Sequence, residues 1–167
     1  MTTDTAHTRW WQMFEVVVGI PLLVAIALHL MVPLVLPHGV LTRTMMVVGV
    51  ALILAGATLV VLARRELAQR GQPTDPGLPT STLVTTGVFS ISRNPLYLGG
   101  MCLLVGIALV LNLPWIVVLL LPAILACHYL LITPEERYLA TKFGAEYQTY
   151  AASVQRWMGR ARHSKQP

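Results

Sequence analysis

The 167-residue sequence has little charge, since only 11% of its residues are Asp, Glu, Lys or Arg whereas 55% are hydrophobic. Soluble domains carry about 25% charged residues, so this composition favours a membrane protein. The net charge is +5, but the basic residues flank apolar runs and are not interleaved with aromatic residues. We therefore expect the chain to contact a lipid bilayer and no nucleic acid.

Several catalytic and metal-binding motifs are also missing. The two cysteines, Cys102 and Cys127, lie singly within apolar runs, and the five histidines are scattered without an HExxH arrangement. The sequence therefore predicts no metal site and no redox pair. Neither a GxSxG nucleophile elbow nor a GxGxxG dinucleotide loop occurs. Since no alternating strand–helix pattern is visible, a soluble Rossmann-type enzyme is excluded as well.

What the sequence does contain is four long apolar runs, over residues 16–36, 45–63, 96–111 and 115–132. A helix needs roughly 20 residues to cross a hydrocarbon core about 30 Å thick. The first two runs are long enough, and the other two are slightly short. Asn112 and Pro114 predict a tight turn that makes the last two runs an antiparallel hairpin. The fold class predicted is all-α, a polytopic membrane bundle of about four transmembrane helices.

The basic residues predict the orientation of this bundle. Four crossings place both termini and the segment 64–93 on one side, and eleven of the twelve Lys and Arg residues then lie on that side. The opposite side holds only Arg43. By the positive-inside rule, both termini are cytoplasmic. We expect a multi-pass protein of the bacterial inner (plasma) membrane.

The cytoplasmic parts are a loop and a second helical segment. The linker 72–82 is rich in Pro, Gly, Ser and Thr, which is typical of a loop. Beyond the fourth run, apolar residues at spacings of three and four predict a C-terminal amphipathic cytoplasmic helix with a break or bend at Gly144. That apolar stripe comprises Leu139, Phe143, Tyr147, Tyr150, Val154 and Trp157. We treat 1–167 as one domain, with a two-helix membrane part over 1–63 and a functional core over 82–158.

Two clusters of polar residues adjoin the apolar runs. In the first, Arg93, Asn94 and Pro95 precede the third run. Pro95 is suited to the first position of a helix, whose free N–H groups attract anions. The alternative is a plain helix cap, with Arg93 serving only topology.

In the second cluster, Glu135 and Glu136 follow the fourth run. One interpretation is a capping box with Thr133 as the N-cap and Pro134 as the first helical residue. The other is a pair of functional carboxylates at the membrane boundary, able to bind a cation or accept a proton. His128 lies seven residues before Glu135, so a straight helix would put both side chains on one face.

These features together resemble the isoprenylcysteine carboxyl methyltransferase and phospholipid methyltransferase superfamily of integral membrane enzymes. The resemblance covers residues 82–157 and consists of TLVTTGVFSISRNPLYLGG, the Asn-x-Pro turn, the Glu-Glu pair and KFGAEYQTY. It implies methyl transfer from S-adenosylmethionine to a lipophilic acceptor dissolved in the membrane, with S-adenosylhomocysteine as the product. The cofactor-binding residues implied are Thr82, Leu83, Val84, Gly87, Phe89, Asn94, Pro95, Leu96, Tyr97 and Glu136. The catalytic residues implied are Glu135, Arg93 and His128.

The sequence also departs from the superfamily pattern. Phe89 stands where relatives often have tyrosine, and Asn94 where they frequently have histidine. Leu131 stands where the eukaryotic prenylcysteine enzymes carry an arginine, four residues before the glutamate that corresponds to Glu135. Without that cation we do not expect prenylcysteine as the natural substrate, and an amine, alcohol, thiol or other carboxylate acceptor stays open. The alternative functions are an NADPH-dependent membrane reductase of related architecture and a non-catalytic membrane subunit.

Overall fold

The computed structural model of the protein describes residues 14–35, 39–73 and 78–160, and these residues form a helical bundle. Its α-helices are α1 (Phe14–Met31), α2 (Val40–Gln69), α3 (Pro95–Val110), α4 (Pro114–Ala126), α5 (Thr133–Phe143) and α6 (Ala145–Ser153). A 3-10 turn covers Gly87–Ser90, and a π-helical segment, Cys127–Ile132, joins α4 to α5. No strand occurs in the described ranges, so the all-α prediction is confirmed there.

The first four helices pack side by side in the spatial order α2, α3, α4, α1. Near the start of α1, Val17 and Val18 pack with Tyr97 at the start of α3 and with Leu131 at the end of the π-helical segment. At the opposite end of the bundle, the indole N–H of Trp115 donates to the carbonyl of Val32 at 2.9 Å. Helices adjacent in space therefore run in opposite directions.

Two continuous helical stretches, Val40–Gln69 and Pro114–Phe143, are long and apolar enough to cross a membrane. The apolar helices Val16–Met31 and Pro95–Val110 are shorter. Large apolar side chains such as Leu23, Leu54 and Val47 lie exposed on the outside of the bundle, which is typical of a surface that faces lipid. Crossing by all four helices stays a prediction, and residues 1–13 and 161–167, which carry part of the topology argument, lie outside the described residues.

Four glycines bring α2 and α3 into backbone contact. A Cβ atom added to Gly49 would lie 2.8 Å from the carbonyl oxygen of Gly106, and one added to Gly56 would lie 2.7 Å from that of Gly99. Both helices space their glycines seven residues apart, so the two contacts lie along one antiparallel seam. Small residues permit such close approach between membrane helices, where packing replaces the hydrophobic effect as the source of association.

Two of the predicted runs differ from the helices that contain them. The helix of the first run ends at Met31, shortly before Pro33, which has no N–H to continue it; residue 36 lies outside the described residues. The helix of the second run continues past residue 63 to Gln69. It ends in a Schellman motif, in which Gly71 has a φ of +63° and its N–H and that of Gln72 donate to Ala68 and Leu67. Arg64 and Arg65 therefore lie on α2 and not in a loop.

The capping-box interpretation of Thr133 is wrong, because the continuous helix that contains Thr133 begins at Pro114. The backbone passes from α4 through the π-helical segment into α5 without interruption. Thr133 has helical dihedral angles, and its hydroxyl donates back to the carbonyl of His128 at 2.8 Å. Pro134 lacks an N–H and its ring crowds the preceding turn, and a wider π turn relieves that conflict within a continuous helix. Glu135 and Glu136 thus project from within a continuous helix, Pro114–Phe143.

The C-terminal part agrees with the prediction in one respect and differs in another. The expected break at Gly144 is confirmed, since this residue has a φ of +52° between α5 and α6. A helix reaching Trp157 is wrong, because α6 ends at Ser153 and Val154 pairs with Arg160 in an isolated β-bridge. The remaining residues 154–160, here called the C-terminal segment, fold back against residues 91–94.

Candidate active site

A tyrosine and a carboxylate meet where α3 and α5 begin. Tyr97 lies in the first turn of α3, and its hydroxyl donates to Oε2 of Glu135 at 3.0 Å. Glu135 lies beyond the apolar stretch that ends at Ile132. Burial raises the pKa of the Glu135 carboxyl to about 7, with a further upward contribution from the charge of Glu136, while the Tyr97 hydrogen bond opposes both. Glu135 is thereby suited to exchanging a proton near neutral pH.

The neighbouring carboxylate has a different environment. Nη1 of Arg93 lies 3.1 Å from Oε1 of Glu136. Arg156, from the C-terminal segment, binds the same carboxylate through two nitrogens: Nε donates to Oε1 at 3.0 Å, and Nη2 donates to Oε2. Such bidentate contacts between guanidinium and carboxylate are among the strong hydrogen bonds in proteins. Glu136 is therefore an anion held between two arginines.

His128 belongs to the same network. Nη1 of Arg156 lies 3.2 Å from Nε2 and 3.4 Å from Nδ1 of His128. The sequence predicts that His128 and Glu135 share one face, because they would lie two turns apart on a straight α-helix. The π-helical segment between them changes the rotation per residue, so that spacing argument does not apply. His128 is linked through Arg156 to Glu136.

The loop before α3, residues 78–94, packs against α6. Leu83 and Val84 are buried, and Leu83 packs on Tyr147 and Tyr150. The Tyr150 hydroxyl donates to the carbonyl of Phe89 at 2.7 Å. Arg93 donates to the Tyr147 hydroxyl at 3.2 Å, and burial is the main cause of the raised pKa of Tyr147. The residues of the loop are thus fixed by side chains of α6, while Thr82 is exposed.

The turn at Gly87 favours glycine because its φ of +57° is unfavourable for other residues. An added Cβ atom would also lie 2.6 Å from Oε2 of Glu66 on α2, which is the movable end of a flexible side chain. Glu66 also accepts a hydrogen bond from the hydroxyl of Thr86. Gly87 therefore begins the turn, and α2 supplies the acidic side chain that supports it.

Asn94 and Pro95 occupy the predicted positions at the start of α3. Pro95 is the first helical residue, and Leu96, which follows it, is partly buried. Asn94 is at the cap position, but its side-chain amide donates to the carbonyl of Arg156 at 3.2 Å and not to the helix. Asn94 therefore fastens the C-terminal segment to the start of α3.

An apolar cluster lies next to the Tyr97–Glu135 pair. It comprises Val17, Val18, Tyr97, Met101, Cys127, Leu131 and Ile132, with Trp157 packed against it. Leu131, at the position of the arginine in prenylcysteine enzymes, is fully buried in this cluster with 0% exposure. An apolar molecule reaching Glu135 from the bundle would meet only hydrocarbon at this position.

Comparison with known families decides the identity at the level of the family. A family model described as phospholipid methyltransferase matches residues 44–146, which is more than half of the chain. The chain belongs to the phospholipid methyltransferase family. It is a membrane methyltransferase, in agreement with the two helices long enough to span a bilayer. No curated protein and no solved structure is similar enough to match it.

The predicted site residues of this methyltransferase come together in part. Arg93, Tyr97, Glu135 and Glu136 form one connected cluster, and Asn94 and His128 join it through Arg156. The residues from Thr82 to Phe89 lie at the other end of the loop, against α6 and α2. The family match includes all of these residues but ends before the C-terminal segment.

An open groove of about 700 Å³ lies between the loop and α6. It is lined by Thr85, Ser90, Glu146, Thr149, Tyr150, Ser153, Val154 and Arg160. None of the residues predicted to bind the cofactor of this methyltransferase lines it. The carboxylate pair and the groove are therefore separate features, since neither Glu135 nor Glu136 lines the groove.

Three polar residues that build the site of this methyltransferase were not predicted from the sequence. Arg156 binds Glu136 and Glu66 supports the Gly87 turn. Gln72 is buried, with 6% exposure. Its side-chain oxygen accepts from the backbone N–H groups of Ser81 and Thr82 at 2.8 and 3.1 Å. A signal existed only for Glu66, an acidic residue next to an apolar run. Arg156 resembled the other basic residues that set topology, and Gln72 resembled an ordinary loop residue.

Proposed function

We propose that this membrane methyltransferase moves a methyl group from S-adenosylmethionine to a lipophilic acceptor dissolved in the bilayer, at the cytoplasmic end of a four-span bundle. In this proposal the chain is one domain, its catalytic core covers residues 82–158, and both termini are cytoplasmic. The observation that carries the proposal is the Tyr97–Glu135 pair, which joins a proton-exchanging carboxyl to the apolar cluster of the bundle. A polar cofactor and an apolar acceptor can reach that pair from opposite directions.

The residues present fit the cofactor. Nε of Arg93 is buried and has no hydrogen-bond partner among the described residues, and a buried donor of this kind favours an acceptor from outside the chain. The carboxylate of S-adenosylmethionine is such an acceptor. We assign its binding to Arg93, to the loop residues that the resemblance implies, and to the start of α3, where free N–H groups favour an anion.

The chemistry assigned to the protein is positioning and proton transfer. When bound, S-adenosylmethionine supplies a methyl group on a positively charged sulfur, which keeps the electron pair of the broken bond. Glu135 takes the proton that the attacking heteroatom of the acceptor loses as its bond to the methyl carbon forms. Tyr97 orients the Glu135 carboxylate through its hydrogen bond, and the apolar cluster excludes water.

The acceptor class follows from the same residues. Val17, Met101 and Leu131 offer hydrocarbon and no charge next to Tyr97, so the acceptor's apolar part would pack there while its heteroatom faces Glu135. Because Glu136 engages Arg156, and Arg93 serves both Glu136 and, in this proposal, the cofactor carboxylate, a substrate carboxylate would lack a further counter-charge. Prenylcysteine is accordingly a poor fit to this site.

The alternative functions fit less well. An NADPH-dependent reductase would have to bind several phosphate charges, which arginines typically hold in bidentate contacts. Arg156 already makes its bidentate contact with Glu136. A non-catalytic subunit would not need a partly buried carboxyl whose pKa is raised to about 7, because such a group costs stability. The family match favours methyl transfer over both.

The proposal is tested with purified protein in detergent. Calorimetry should detect S-adenosylhomocysteine binding, and incubation with labelled S-adenosylmethionine and a native lipid extract should yield a labelled lipid. Glu135→Gln should lower the transfer rate by about 100-fold, within the range usual for loss of a general base. Arg93→Ala should weaken S-adenosylhomocysteine binding by about tenfold or more, since a hydrogen bond to a charged group is worth roughly 1.5–3 kcal/mol.

A matched control is Arg137→Gln, which changes an exposed residue of the same helix and should preserve both binding and transfer. If S-adenosylhomocysteine does not bind the wild-type protein, the cofactor assignment is wrong. Binding of NADPH in its place would support the reductase.

A further inference from the structure

We propose that Arg156 is a positioning residue of the methyl-transfer site: by binding Glu136 it holds that carboxylate as a fixed anion and leaves Glu135 as the carboxylate that exchanges the proton. This inference rests on the proposed function. It gives the two adjacent glutamates different tasks, and it makes the C-terminal segment part of the site.

The backbone of the C-terminal segment holds Arg156 in place. The N–H of Arg93 donates to the carbonyl of Gln155 at 3.2 Å, and the N–H of Gly159 donates to the carbonyl of Ile91 at 2.8 Å. Between these two contacts, the carbonyl of Arg156 accepts from the side chain of Asn94. The segment is therefore fastened on both sides of Arg156 to the residues that precede α3.

All three guanidinium nitrogens of Arg156 contact residues of the cluster. Nε and Nη2 bind the two oxygens of Glu136, and Nη1 contacts the ring of His128. The hydrogen bond to Glu136 is the main cause of the raised pKa of Arg156, so this side chain stays charged throughout the working pH range. Oε1 of Glu136 is also contacted by Arg93, which leaves Glu136 engaged at both oxygens.

The surroundings of Glu135 show how Arg156 acts at a distance. The groups that face Glu135 are the Tyr97 hydroxyl from α3, the Glu136 carboxylate on its own helix and the Tyr147 hydroxyl from α6. Around them, Arg93 and Arg156 balance the charge of Glu136, and His128 adjoins Arg156. Removing Arg156 would leave the charge of Glu136 less balanced, which raises the pKa of Glu135 further.

The family match does not reach Arg156, so the role of this residue is inferred from its contacts and not from that match. That match ends at residue 146, and Arg156 belongs to the C-terminal segment beyond it. The assignment depends on the observed contacts with Glu136, His128 and Asn94.

The test is the pH profile of labelled methyl transfer from S-adenosylmethionine to native lipid extract by the full-length protein. The profile runs from about pH 5.5 to about pH 9, which extends roughly 1.5–2 units on either side of neutrality. Activity that needs ionised Glu135 should fall on the acidic side. Arg156→Ala should move that acidic limb upward by on the order of one pH unit, and Arg156→Lys, which keeps the charge without the bidentate contact, should move it less. Arg137→Ala, an exposed arginine of α5, is the control and should leave the limb in place.

A double variant separates a positioning role from a merely structural one. Glu136→Gln removes the neighbouring charge and should move the acidic limb downward. Because Arg156 acts through Glu136, adding Arg156→Ala to Glu136→Gln should change the limb by much less than it does in the wild type.

Any of three outcomes would overturn the inference. In the first, Arg156→Ala lowers the rate at every pH and leaves the acidic limb in place. In the second, Arg156→Ala shifts the limb as much in the Glu136→Gln background as in the wild type, and in the third, Glu136→Gln does not move the limb downward. If Arg156→Ala fails to fold, Arg156→Lys and Glu136→Gln decide it, since each has its own expected direction. Failure of the proposed function is recognised separately, because the wild-type protein would then bind no S-adenosylhomocysteine.

Discussion

The phenol of Tyr97 and the carboxyl of Glu135 are joined by a hydrogen bond of 3.0 Å although 38 residues of chain separate them. The hairpin of α3 and α4 lies between them in sequence, so its two helices return the chain to the end of the bundle where it began. The bond links the two regions that the sequence singled out for chemistry. It also gives Glu135 a donor that favours the ionised form, against burial, which disfavours it.

Replacing Tyr97 by phenylalanine removes that donor and keeps the ring. The pKa of Glu135, raised already to about 7, should rise further because the bond to the carboxylate is lost. The acidic limb of labelled methyl transfer should therefore move to higher pH, and the rate at pH 7 should fall about tenfold, while the rate near pH 9 should recover in part.

Tyr129→Phe is the matched control for this change, since Tyr129 is 66% exposed at the end of the bundle. It should leave the profile unaltered. An unshifted limb in Tyr97→Phe would show that the hydroxyl does not tune Glu135.

The glycine contact between α2 and α3 predicts a loss of stability on adding one methyl group. Gly56→Ala would place a Cβ atom 2.7 Å from the Gly99 carbonyl oxygen, and backbone cannot move aside as a flexible side chain can. Overpacking of this kind costs about 1–3 kcal/mol, so the thermal unfolding midpoint in detergent should fall by several degrees.

Gly19→Ala is the control, because a Cβ atom at Gly19 of α1 would meet nothing within 4 Å. Its midpoint should stay the same or rise, as alanine favours helix more than glycine does. Equal midpoints for the two variants would mean that the α2–α3 contact is looser than described.

Gln72 predicts an effect on cofactor affinity with little effect on the chemical step. Its amide accepts from two backbone N–H groups of the loop and donates to the Ser81 hydroxyl and the Arg70 carbonyl, each at 2.9 Å. Gln72→Ala frees the loop that leads to Leu83 and Val84. We expect KM for S-adenosylmethionine to rise about three- to tenfold with kcat nearly unchanged, since a net hydrogen bond contributes about 1 kcal/mol.

The comparison variant is Gln148→Ala, at an exposed position of α6, which should not alter KM. A Gln72→Ala protein that lost kcat with KM unchanged would place Gln72 in a different role.

The apolar pattern predicted the helices well because hydrocarbon burial and helix length are both properties of a local stretch. The third run, 96–111, differs from α3 by one residue at each end. Pro95 and Gly144 were also correctly placed, since their backbone preferences are local. The end of α2 was missed because Glu66 and Gln69 are polar but favour helix, so the helix outlasts its apolar part.

The site was predictable only where its residues belong to motifs. Glu135 and Arg93 were singled out by their place next to apolar runs. Arg156 was not, because its partner Glu136 is 20 residues away and the connection passes through a break at Gly144 and a non-helical segment. A side chain that reaches its partner across such a fold leaves no periodic pattern in the sequence. The same holds for the hydrogen bonds from Gln72 to Ser81 and Thr82.

The π-helical segment Cys127–Ile132 determines which glutamate faces which neighbour. Successive residues of a helix are about 100° apart around its axis, and a π turn holds one more residue than an α turn. If the same sequence wound through this segment as a regular α-helix, α5 would be rotated by about that angle. Glu135 would then point where Glu136 now meets the two arginines, and Tyr97 would face a different side chain, so a one-residue irregularity in the helix assigns two identical amino acids to unlike neighbours.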